Sequence, residues 1–241
     1  MKDFVNKTVG GIVAQNIEFA KVFQSHGIDF CCGGDILLSE AVKKSGVVLD
    51  DLLKDLELSV KSYSLPQALN FDQWSLDLLI DYVVKFHHHY IRTRGTEIHA
   101  LLTKVVNAHG DRDPHLHQVT QLFSASLVDL HDHLAKEENI LFPLIRELLL
   151  AQSKGEQLPR FHCGSVNNPI RVMIQEHDGE GDRFRKISGL TGAYVAPEYA
   201  CNSYKLVLEE LRQFEENLHI HIHVENNILF PKAIKLEESF G

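Results

Sequence analysis

His133-Leu-Ala-Lys-Glu137-Glu-Asn-Ile-Leu-Phe-Pro143 and His221-Ile-His-Val-Glu225-Asn-Asn-Ile-Leu-Phe-Pro231 are nearly the same sequence, 88 residues apart. Seven of the eleven positions are identical: the histidine, the glutamate and the closing Asn-Ile-Leu-Phe-Pro. Residues four apart lie on one face of an α-helix, so each copy can direct an imidazole and a carboxylate to one point. A recurrence of this kind indicates a duplicated structural unit.

A single histidine precedes each copy at nearly the same distance. His88 lies 45 residues before His133, and His177 lies 44 residues before His221. Each half is therefore predicted to be a helix with one histidine followed by a helix with His-x-x-x-Glu. Short connections favour antiparallel neighbours, and no long stretch has the alternating pattern of a strand. The sequence predicts an all-α fold with an antiparallel four-helix bundle.

Composition limits the classes of protein to consider. The chain has 241 residues, of which 44% are hydrophobic and 24% charged, values typical of a globular protein. Its net charge of −9 argues against nucleic acid as a partner. No apolar run is long enough for a membrane span, the first residues lack the apolar stretch of a signal peptide, and four cysteines are too few for a disulfide scaffold. We expect a cytoplasmic protein.

Three segments are predicted along the chain. Residues 1–57 are expected to form a small helical domain that contains a Cys-Cys-Gly-Gly motif. Residues 58–70 carry Pro66 and break the helical periodicity, so they are expected to form a linker. Residues 71–241 are expected to form the bundle.

Several helix boundaries can be predicted from capping residues. In the N-terminal segment, one helix is expected from Gly11 to Ser25 and a second from about Asp35 to Ser45, where Gly46 would end it. In the bundle, a long helix is expected from about His115 to Leu150. Pro143 lies inside that helix and is expected to kink it, because proline has no N–H to donate.

The repeated pattern predicts a site for two metal ions. Two bridging glutamates and four terminal histidines would give each ion two nitrogen and two oxygen ligands, with positions left for oxo, water or a small gas. Such mixed ligation suits iron or manganese, and helical bundles hold di-iron centres of this type. Asp129 and Glu176 lie next to candidate ligands and are expected to orient them. The candidate ligands are His88, His133, Glu137, His177, His221 and Glu225.

Alternatives to metal ligation exist for the individual residues. A single His-x-x-x-Glu pair can simply stabilise a helix. His87, His88 and His89 are consecutive and point about 100° apart on a helix, so only the register of the repeat favours His88. His223 is out of register and is expected to be exposed.

The vicinal thiols are the second chemical signal. Cys31 and Cys32 precede two glycines and a predicted helix start, where a thiol pKa is expected to be lowered. They are candidate redox or iron-transfer thiols in one interpretation and two small buried residues at a turn in the other. Cys163 and Cys201 are interpreted as structural.

Taken together, these motifs resemble those of a known family. Asp29-Phe-Cys-Cys-Gly-Gly34 is followed by His-His-x-Tyr, His-x-x-x-Glu-Glu-Asn-x-Leu-Phe-Pro, Glu-His-Asp and His-x-x-x-Glu-Asn-Asn-x-Leu-Phe-Pro. Over nearly the whole chain this order is similar to that of the di-iron proteins that repair iron–sulfur clusters, the repair of iron centres family. The resemblance implies a hemerythrin-like bundle, a non-haem di-iron centre with oxo and carboxylate bridges, and homodimers. The ligands it implies are His88, His133, Glu137, His177, His221 and Glu225, the two glutamates being the bridges.

The resemblance also implies a function. Such proteins act in the cytoplasm under nitrosative and oxidative stress and are expected to restore damaged iron–sulfur proteins by donating iron. Two alternatives use the same centre: an enzyme that reduces two molecules of nitric oxide to nitrous oxide, and a hemerythrin-like sensor that binds oxygen or nitric oxide. Neither nucleic acid nor a membrane is expected as a partner.

Overall fold

The computed structural model describes residues 2–61 and 70–240, and most of these residues are helical. Within those ranges no β-strand occurs, and the only extended pairing is an isolated bridge between Thr8 and Leu37. The prediction of an all-α fold is confirmed. None of the described helices is both long enough and apolar enough to cross a membrane.

The helices follow one another in chain order with few long connections. Short 3-10 turns occur at Lys2–Asn6 and Phe71–Gln73. The α-helices are α1 (Val9–Gln15), α2 (Phe19–Ser25), α3 (Leu38–Ser45), α4 (Leu49–Lys61), α5 (Leu76–Tyr82), α6 (His89–His109), α7 (His115–Lys136), α8 (Phe142–Lys154), α9 (Asn167–Leu190), α10 (Asn202–Val224) and α11 (Phe230–Glu238). Three π-helical turns join some of them: Val83–His88, Glu137–Leu141 and Glu225–Leu229.

The prediction of one helix from Gly11 to Ser25 is wrong, because the chain leaves the helix at Asn16. Asn16 has an extended backbone, with φ −158° and ψ 110°. Its side-chain oxygen accepts a hydrogen bond from the N–H of Glu18 at 3.0 Å. Asparagine side chains compete with the helical backbone in this way, so α1 and α2 are separate helices.

Helix α3 starts later than predicted and ends where predicted. It begins at Leu38 rather than near Asp35, because Leu37 is extended and pairs with Thr8. Gly46 follows its last turn with φ 73°, a left-handed conformation that glycine adopts without a Cβ penalty.

The predicted linker is only partly described. Helix α4 continues to Lys61, so residues 58–61 are helical. Residues 62–69, which include Pro66, lie outside the described residues.

The predicted helix from His115 to Leu150 is divided into three parts. Helix α7 gives way to the π-turn Glu137–Leu141, and α8 follows with Pro143 as its second residue. The expected irregularity therefore precedes the proline. The π-turn lies directly before Pro143, where an unbroken α-helix would bring the proline ring against the carbonyl of the preceding turn.

The described residues separate into two compact units. One consists of Met1–Ile80 and Ile220–Gly241, and the other consists of Asp81–His219. In the first unit, α2 packs on α4 and buries Phe23, Leu52 and Leu56 completely. In the same unit Lys232 of α11 donates hydrogen bonds to the carbonyls of Asp72 and Trp74, at 2.6 and 2.8 Å.

The second unit has an aromatic core supplied by α7, α9 and α10. Phe123 lies with its ring centroid 6.3 Å from that of Phe184 and 5.3 Å from that of Phe214. The rings of Phe184 and Phe214 are 5.7 Å apart. Edge-to-face and offset contacts of this kind add to the free energy gained by burial, so these three residues fix how the helices of this unit pack.

A buried carboxyl in this unit makes stability depend on pH. Burial raises the pKa of Glu215 to about 7 from an ordinary value of 4.5. Below pH 4.5 the folded and unfolded forms are both protonated, so the group contributes nothing. As pH rises toward 7 the unfolded form loses its proton first, and stability falls. We expect Glu215→Gln to raise the free energy of unfolding by about 1–3 kcal/mol at pH 8, with little change at pH 4.5, as measured by urea denaturation.

The control for removal of one charge is Glu147→Gln, at an exposed glutamate of α8. An equal stabilisation by Glu215→Gln at both pH values would show that ionisation of Glu215 is not the cause.

Candidate metal centre

Four of the candidate ligands converge within the second unit. The carboxylate of Glu137 is fully buried. Its Oε2 lies 3.3 Å from Nε2 of His88 and 3.5 Å from Nε2 of His133. Nε2 of His177 lies 3.1 Å from Nε2 of His133. A ring nitrogen of His177 also lies within 4.8 Å of ligand atoms of His133 and Glu137. Three imidazoles therefore lie beside one buried carboxylate, a donor set typical of a metal ion bound by histidine and glutamate.

The outward-facing nitrogens of two of these imidazoles are held by carboxylates. Nδ1 of His88 lies 2.7 Å from Glu138, which also accepts a hydrogen bond from Arg92 at 2.8 Å. Nδ1 of His133 lies 2.8 Å from Glu176, which also pairs with Lys136. Partners of this kind fix the tautomer and orientation of metal-binding imidazoles and increase their basicity.

These outer carboxylates are held in the ionised form. Burial opposes ionisation of Glu138, but hydrogen bonds from Arg92 and His88 outweigh it and lower the pKa of the carboxyl. Burial likewise opposes ionisation of Glu176, and hydrogen bonds from Lys136 and His133 again lower the pKa. Each outer carboxylate can therefore stabilise positive charge on the imidazole beside it.

The sequence indicated one of these outer carboxylates and missed the other. Glu176 lies where an orienting residue was expected. Asp129, also expected in that role, is exposed and pairs with Arg183 instead. Glu138 was not expected, although it directly follows Glu137 and Arg92 lies one helical turn after His88. A second glutamate next to one ligand and an arginine one turn from another could have indicated this supporting ion pair.

The other two candidate ligands form a pair within the first unit. Nε2 of His221 lies 3.0 Å from Oε1 of Glu225, and both side chains are almost completely buried. This is the same i, i+4 arrangement as His133 and Glu137. Each copy of the repeated sequence therefore places an imidazole beside a buried carboxylate.

A π-helical turn accompanies a candidate ligand in three places. His88 ends one such turn, Glu137 begins the second and Glu225 begins the third. The N–H of Phe142 donates to the carbonyl of Glu137, and the N–H of Phe230 donates to the carbonyl of Glu225, each five residues back. Single π-turns inside α-helices occur frequently at functional sites.

The histidine triplet is resolved by its surroundings. His88 faces Glu137, and His89 is exposed. His87 is also buried, but its Nδ1 lies 3.1 Å from the side-chain oxygen of Asn217, and its ring contacts Tyr82 edge-on. His88 is thus the member of the triplet that lies beside the other candidate ligands of its unit.

The prediction that His223 is exposed is wrong. Its side chain is fully buried, with the ring 5.8 Å from that of Phe30. Its Nδ1 lies 3.4 Å from the carbonyl oxygen of Phe30 and 3.2 Å from Nδ2 of Asn227. Burial lowers the pKa of His223 to about 4. The loop before the cysteine pair covers this face of the helix, and the helical register alone does not show that.

The cysteine pair lies in that same loop. Cys31 is buried, Cys32 is half-buried, and both are free thiols whose Sγ atoms are 3.8 Å apart. Asp29 accepts hydrogen bonds from the N–H groups of Cys31 and Cys32, both at 3.0 Å. The hydrogen bond to Cys32, burial and the charge of Asp29 raise the pKa of Cys31. The expected lowering is wrong for this thiol, because α3 begins only at Leu38, and the contact with Cys32, burial and the nearby carboxylate all disfavour the thiolate.

The remaining cysteines lie apart from this pair. Cys163 is half-buried, with Sγ 3.5 Å from the carbonyl oxygen of Ser165. Cys201 is exposed, with Sγ 3.2 Å from Nε2 of His109. Hydrogen bonds from the backbone N–H of Tyr204 and from His109 lower the pKa of Cys201.

The outer carboxylate that the sequence missed can be tested directly. Glu138→Gln keeps the side-chain shape but removes the charge that His88 and Arg92 share. We expect the affinity of this centre for a divalent metal to fall by about 10–100-fold, measured by competition with a chromophoric chelator. Asp129→Asn, at the exposed carboxylate paired with Arg183, is the matched control. Equal affinities in both variants would mean that Glu138 does not support the histidine.

Comparison with known families accounts for both parts of the chain. Residues 79–233 match the Hemerythrin HHE cation binding domain, and residues 5–59 match ScdA_N, described as a Domain of Unknown function (DUF542). These matches confirm the prediction of a hemerythrin-like domain after a small N-terminal helical region.

Several relatives are similar to this chain over nearly its whole length. The Iron-sulfur cluster repair protein YtfE of Yersinia pseudotuberculosis serotype O:1b (strain IP 31758) is 32% identical over 235 residues, which is 98% of this chain and 100% of the relative. YtfE of Yersinia pestis (strain Pestoides F) is 31% identical over the same shares of the two chains. Together with the motifs and the buried His–Glu centre, these matches show that the chain belongs to the YtfE family of iron–sulfur cluster repair proteins.

Proposed function

We propose that this protein repairs iron–sulfur clusters damaged by nitrosative or oxidative stress, by donating iron from a di-iron centre. The observation that carries the proposal is the buried carboxylate of Glu137 with three imidazoles beside it. Nε2 of His88 and of His133 lies 3.3 and 3.5 Å from its Oε2, and a ring nitrogen of His177 lies within 4.8 Å of the carboxylate. The repair of iron–sulfur clusters for which the YtfE relatives are named supports the repair role. Damaged iron–sulfur proteins are the proposed partners, nitric oxide or oxygen the proposed small ligands, and the cytoplasm the proposed location.

The donor set fits iron. Imidazole nitrogens and carboxylate oxygens suit a non-haem iron site with positions left open. Iron bound there supplies Lewis acidity and one-electron redox chemistry. We propose that Glu137 and Glu225 bridge two iron ions and that the terminal ligands are His88, His133, His177 and His221. The repeat in the sequence supports this set, because each copy supplies an equivalent pair and one further histidine.

The side chains of this protein would hold the iron and also allow its release. Glu138 and Glu176 keep Nε2 of His88 and His133 directed inward. Glutamate and histidine both bind metal only when deprotonated, so proton uptake weakens their hold on the ion. In this proposal iron is cargo as well as cofactor. Cys31 and Cys32 are the proposed redox or iron-transfer thiols.

The proposed organisation retains the three segments predicted from sequence, 1–57, 58–70 and 71–241, and a homodimer. The family matches over residues 5–59 and 79–233 support a division near the proposed linker. The dimer rests on the family resemblance.

Metal content is the first test of the centre. Protein purified from iron-replete cells is expected to contain about two irons per chain. The variant Glu137→Ala/Glu225→Ala is expected to lose most of that iron and its optical bands, because both carboxylates are removed. Iron analysis with optical and EPR spectra provides the measurement. A variant of two exposed glutamates, Glu97→Ala/Glu147→Ala, controls for loss of charge. Metal-free protein, or zinc that the site variant retains, would count against a di-iron centre.

Repair itself is tested with a nitric-oxide-damaged iron–sulfur enzyme as client. The iron-loaded protein is expected to restore the activity of the client, and Cys31→Ser/Cys32→Ser is expected to slow restoration by about tenfold or more with the optical bands of the di-iron centre unchanged. Cys163→Ser/Cys201→Ser is the matched thiol control. Full-rate repair by the Cys31/Cys32 variant would exclude these thiols from transfer. Failure of the wild-type protein to restore the client would overturn the repair proposal.

A further inference from the structure

Asp29, Cys31 and Cys32 form a compact set of metal-ligating side chains, here called the thiol cluster. One ligand atom from each lies within 4.8 Å of the other two. The two Sγ atoms are 3.8 Å apart, and Sγ of Cys31 is 3.4 Å from Oδ1 of Asp29. All three residues belong to the first unit. The His221–Glu225 pair of that unit is not part of the thiol cluster.

These separations agree with tetrahedral ligation of one ion. Two thiolates at about 2.3 Å from a tetrahedral metal lie about 3.8 Å apart, and a thiolate and a carboxylate oxygen on one metal lie about 3.6 Å apart. By contrast, a disulfide requires an S–S distance of about 2.05 Å. The positions of the side chains are therefore closer to those of a metal site than to those of a vicinal disulfide.

We propose that the thiol cluster is a second metal site, which binds one divalent transition-metal ion through Sγ of Cys31, Sγ of Cys32 and a carboxylate oxygen of Asp29. Binding forms two metal–sulfur bonds and one metal–oxygen bond, breaks two S–H bonds and releases two protons, with no transfer of electrons. The assignment of iron(II) as the natural ion rests on the proposed function; the site itself does not.

The exposure of the cluster suits transfer of the ion. Cys31 is buried, Cys32 is half-buried and Asp29 is exposed. Three protein ligands leave a tetrahedral ion one position for an incoming ligand, and the exposed side of the cluster gives that ligand access. Two sulfur donors also make this site softer than the His–Glu centre. An ion at the thiol cluster thus already has sulfur ligands, as it would in an iron–sulfur protein that received it.

Close backbone packing holds the loop that carries the cluster. Gly10 donates its N–H to the carbonyl of Gly34 at 2.7 Å. A Cβ on Gly34 would lie 2.4 Å from the carbonyl oxygen of Phe30, so only glycine fits without movement of the backbone. A Cβ on Gly33 would meet Asp29 at 3.5 Å, an ordinary contact. Gly34 is therefore the glycine of the pair that the loop geometry requires.

Asn227 of the repeated sequence also holds this loop in place through hydrogen bonds. Asn227 donates from Nδ2 to the carbonyl oxygens of Cys31 and Phe30, at 3.1 and 3.4 Å. Its counterpart in the first copy, Asn139, is exposed and donates to the carbonyl of Ala135 on its own helix at 2.8 Å. Asn227 is thus a positioning residue of the thiol cluster, and it lies in the π-turn that begins at Glu225.

Cobalt(II) is the probe for the proposed site, because thiolate ligation gives it intense charge-transfer absorption in the near ultraviolet. The protein is the full chain with Cys163→Ser/Cys201→Ser, so that only the paired thiols remain. We expect the thiolate bands to account for about one cobalt per chain, and the protein to release two protons more than Cys31→Ser/Cys32→Ser does in a pH-indicator assay. Cys31→Ser/Cys32→Ser is expected to abolish the bands, and Asp29→Asn to weaken binding about tenfold or more.

The duplicated asparagines provide the matched pair of variants. Asn227→Ala is expected to weaken cobalt binding at the thiols about tenfold, whereas Asn139→Ala is expected to leave it unchanged. Circular dichroism checks that each variant is folded. Absence of thiolate bands from folded protein, or bands that persist without Cys31 and Cys32, would overturn the second site. Equal effects of the two asparagine variants would remove Asn227 from its positioning role.

Iron content and client repair, measured on the same samples, keep the two proposals separate. Thiolate bands without repair would support the metal site and reject the proposed function. Repair without thiolate bands would support the proposed function and reject the metal site at the thiols.

Discussion

Burial of the Glu137 carboxylate is the constraint on which the candidate centre depends. A charge removed from water is costly unless partners of opposite charge and hydrogen bonds surround it. Here the imidazoles supply the partners, and two of them, His88 and His133, are supported in turn by a carboxylate and a cation nearer the surface. The alternation runs outward along two lines, Glu137–His88–Glu138–Arg92 and Glu137–His133–Glu176–Lys136. A change at any point leaves the next charge without its partner, so the ligands and their supports act as one network.

Much of this arrangement could be predicted because helical spacing is a strict geometric rule. The i, i+4 separation of His133 and Glu137, its recurrence at His221 and Glu225, and the nearly constant interval to the preceding histidines were sufficient to place residues on common faces. The π-turns could not be predicted in the same way. One extra residue in a helical turn hardly alters the amino-acid composition of the helix and leaves most of its hydrophobic pattern intact. Only Pro143 and Pro231 marked the irregularity, and they lie just beyond it.

The wrong predictions in the N-terminal segment and at His223 have a different cause. Gly11 to Ser25 carries a continuous apolar pattern, yet a single hydrogen bond from the N–H of Glu18 to the side-chain oxygen of Asn16 divides it. His223 is out of register with the ligands, yet a loop almost two hundred residues earlier in the chain covers it. The pKa of the Cys31 thiol depends on its hydrogen bond to Cys32, on burial and on the charge of Asp29 rather than on the distance to the next helix. Each outcome is decided by a neighbour in space, which periodicity along the chain does not report.

The matching π-turns also carry information about the history of this protein. A π-turn is what remains when one residue is inserted into an established α-helix and the downstream register is kept. Glu137–Leu141 and Glu225–Leu229 occupy the same place in both copies. The simplest ancestry is that the insertion occurred once, in a shorter helical hairpin, before the gene segment was doubled. Asn139 and Asn227 occupy equivalent positions but differ in use, since Asn139 bonds to its own helix and Asn227 to the cysteine loop.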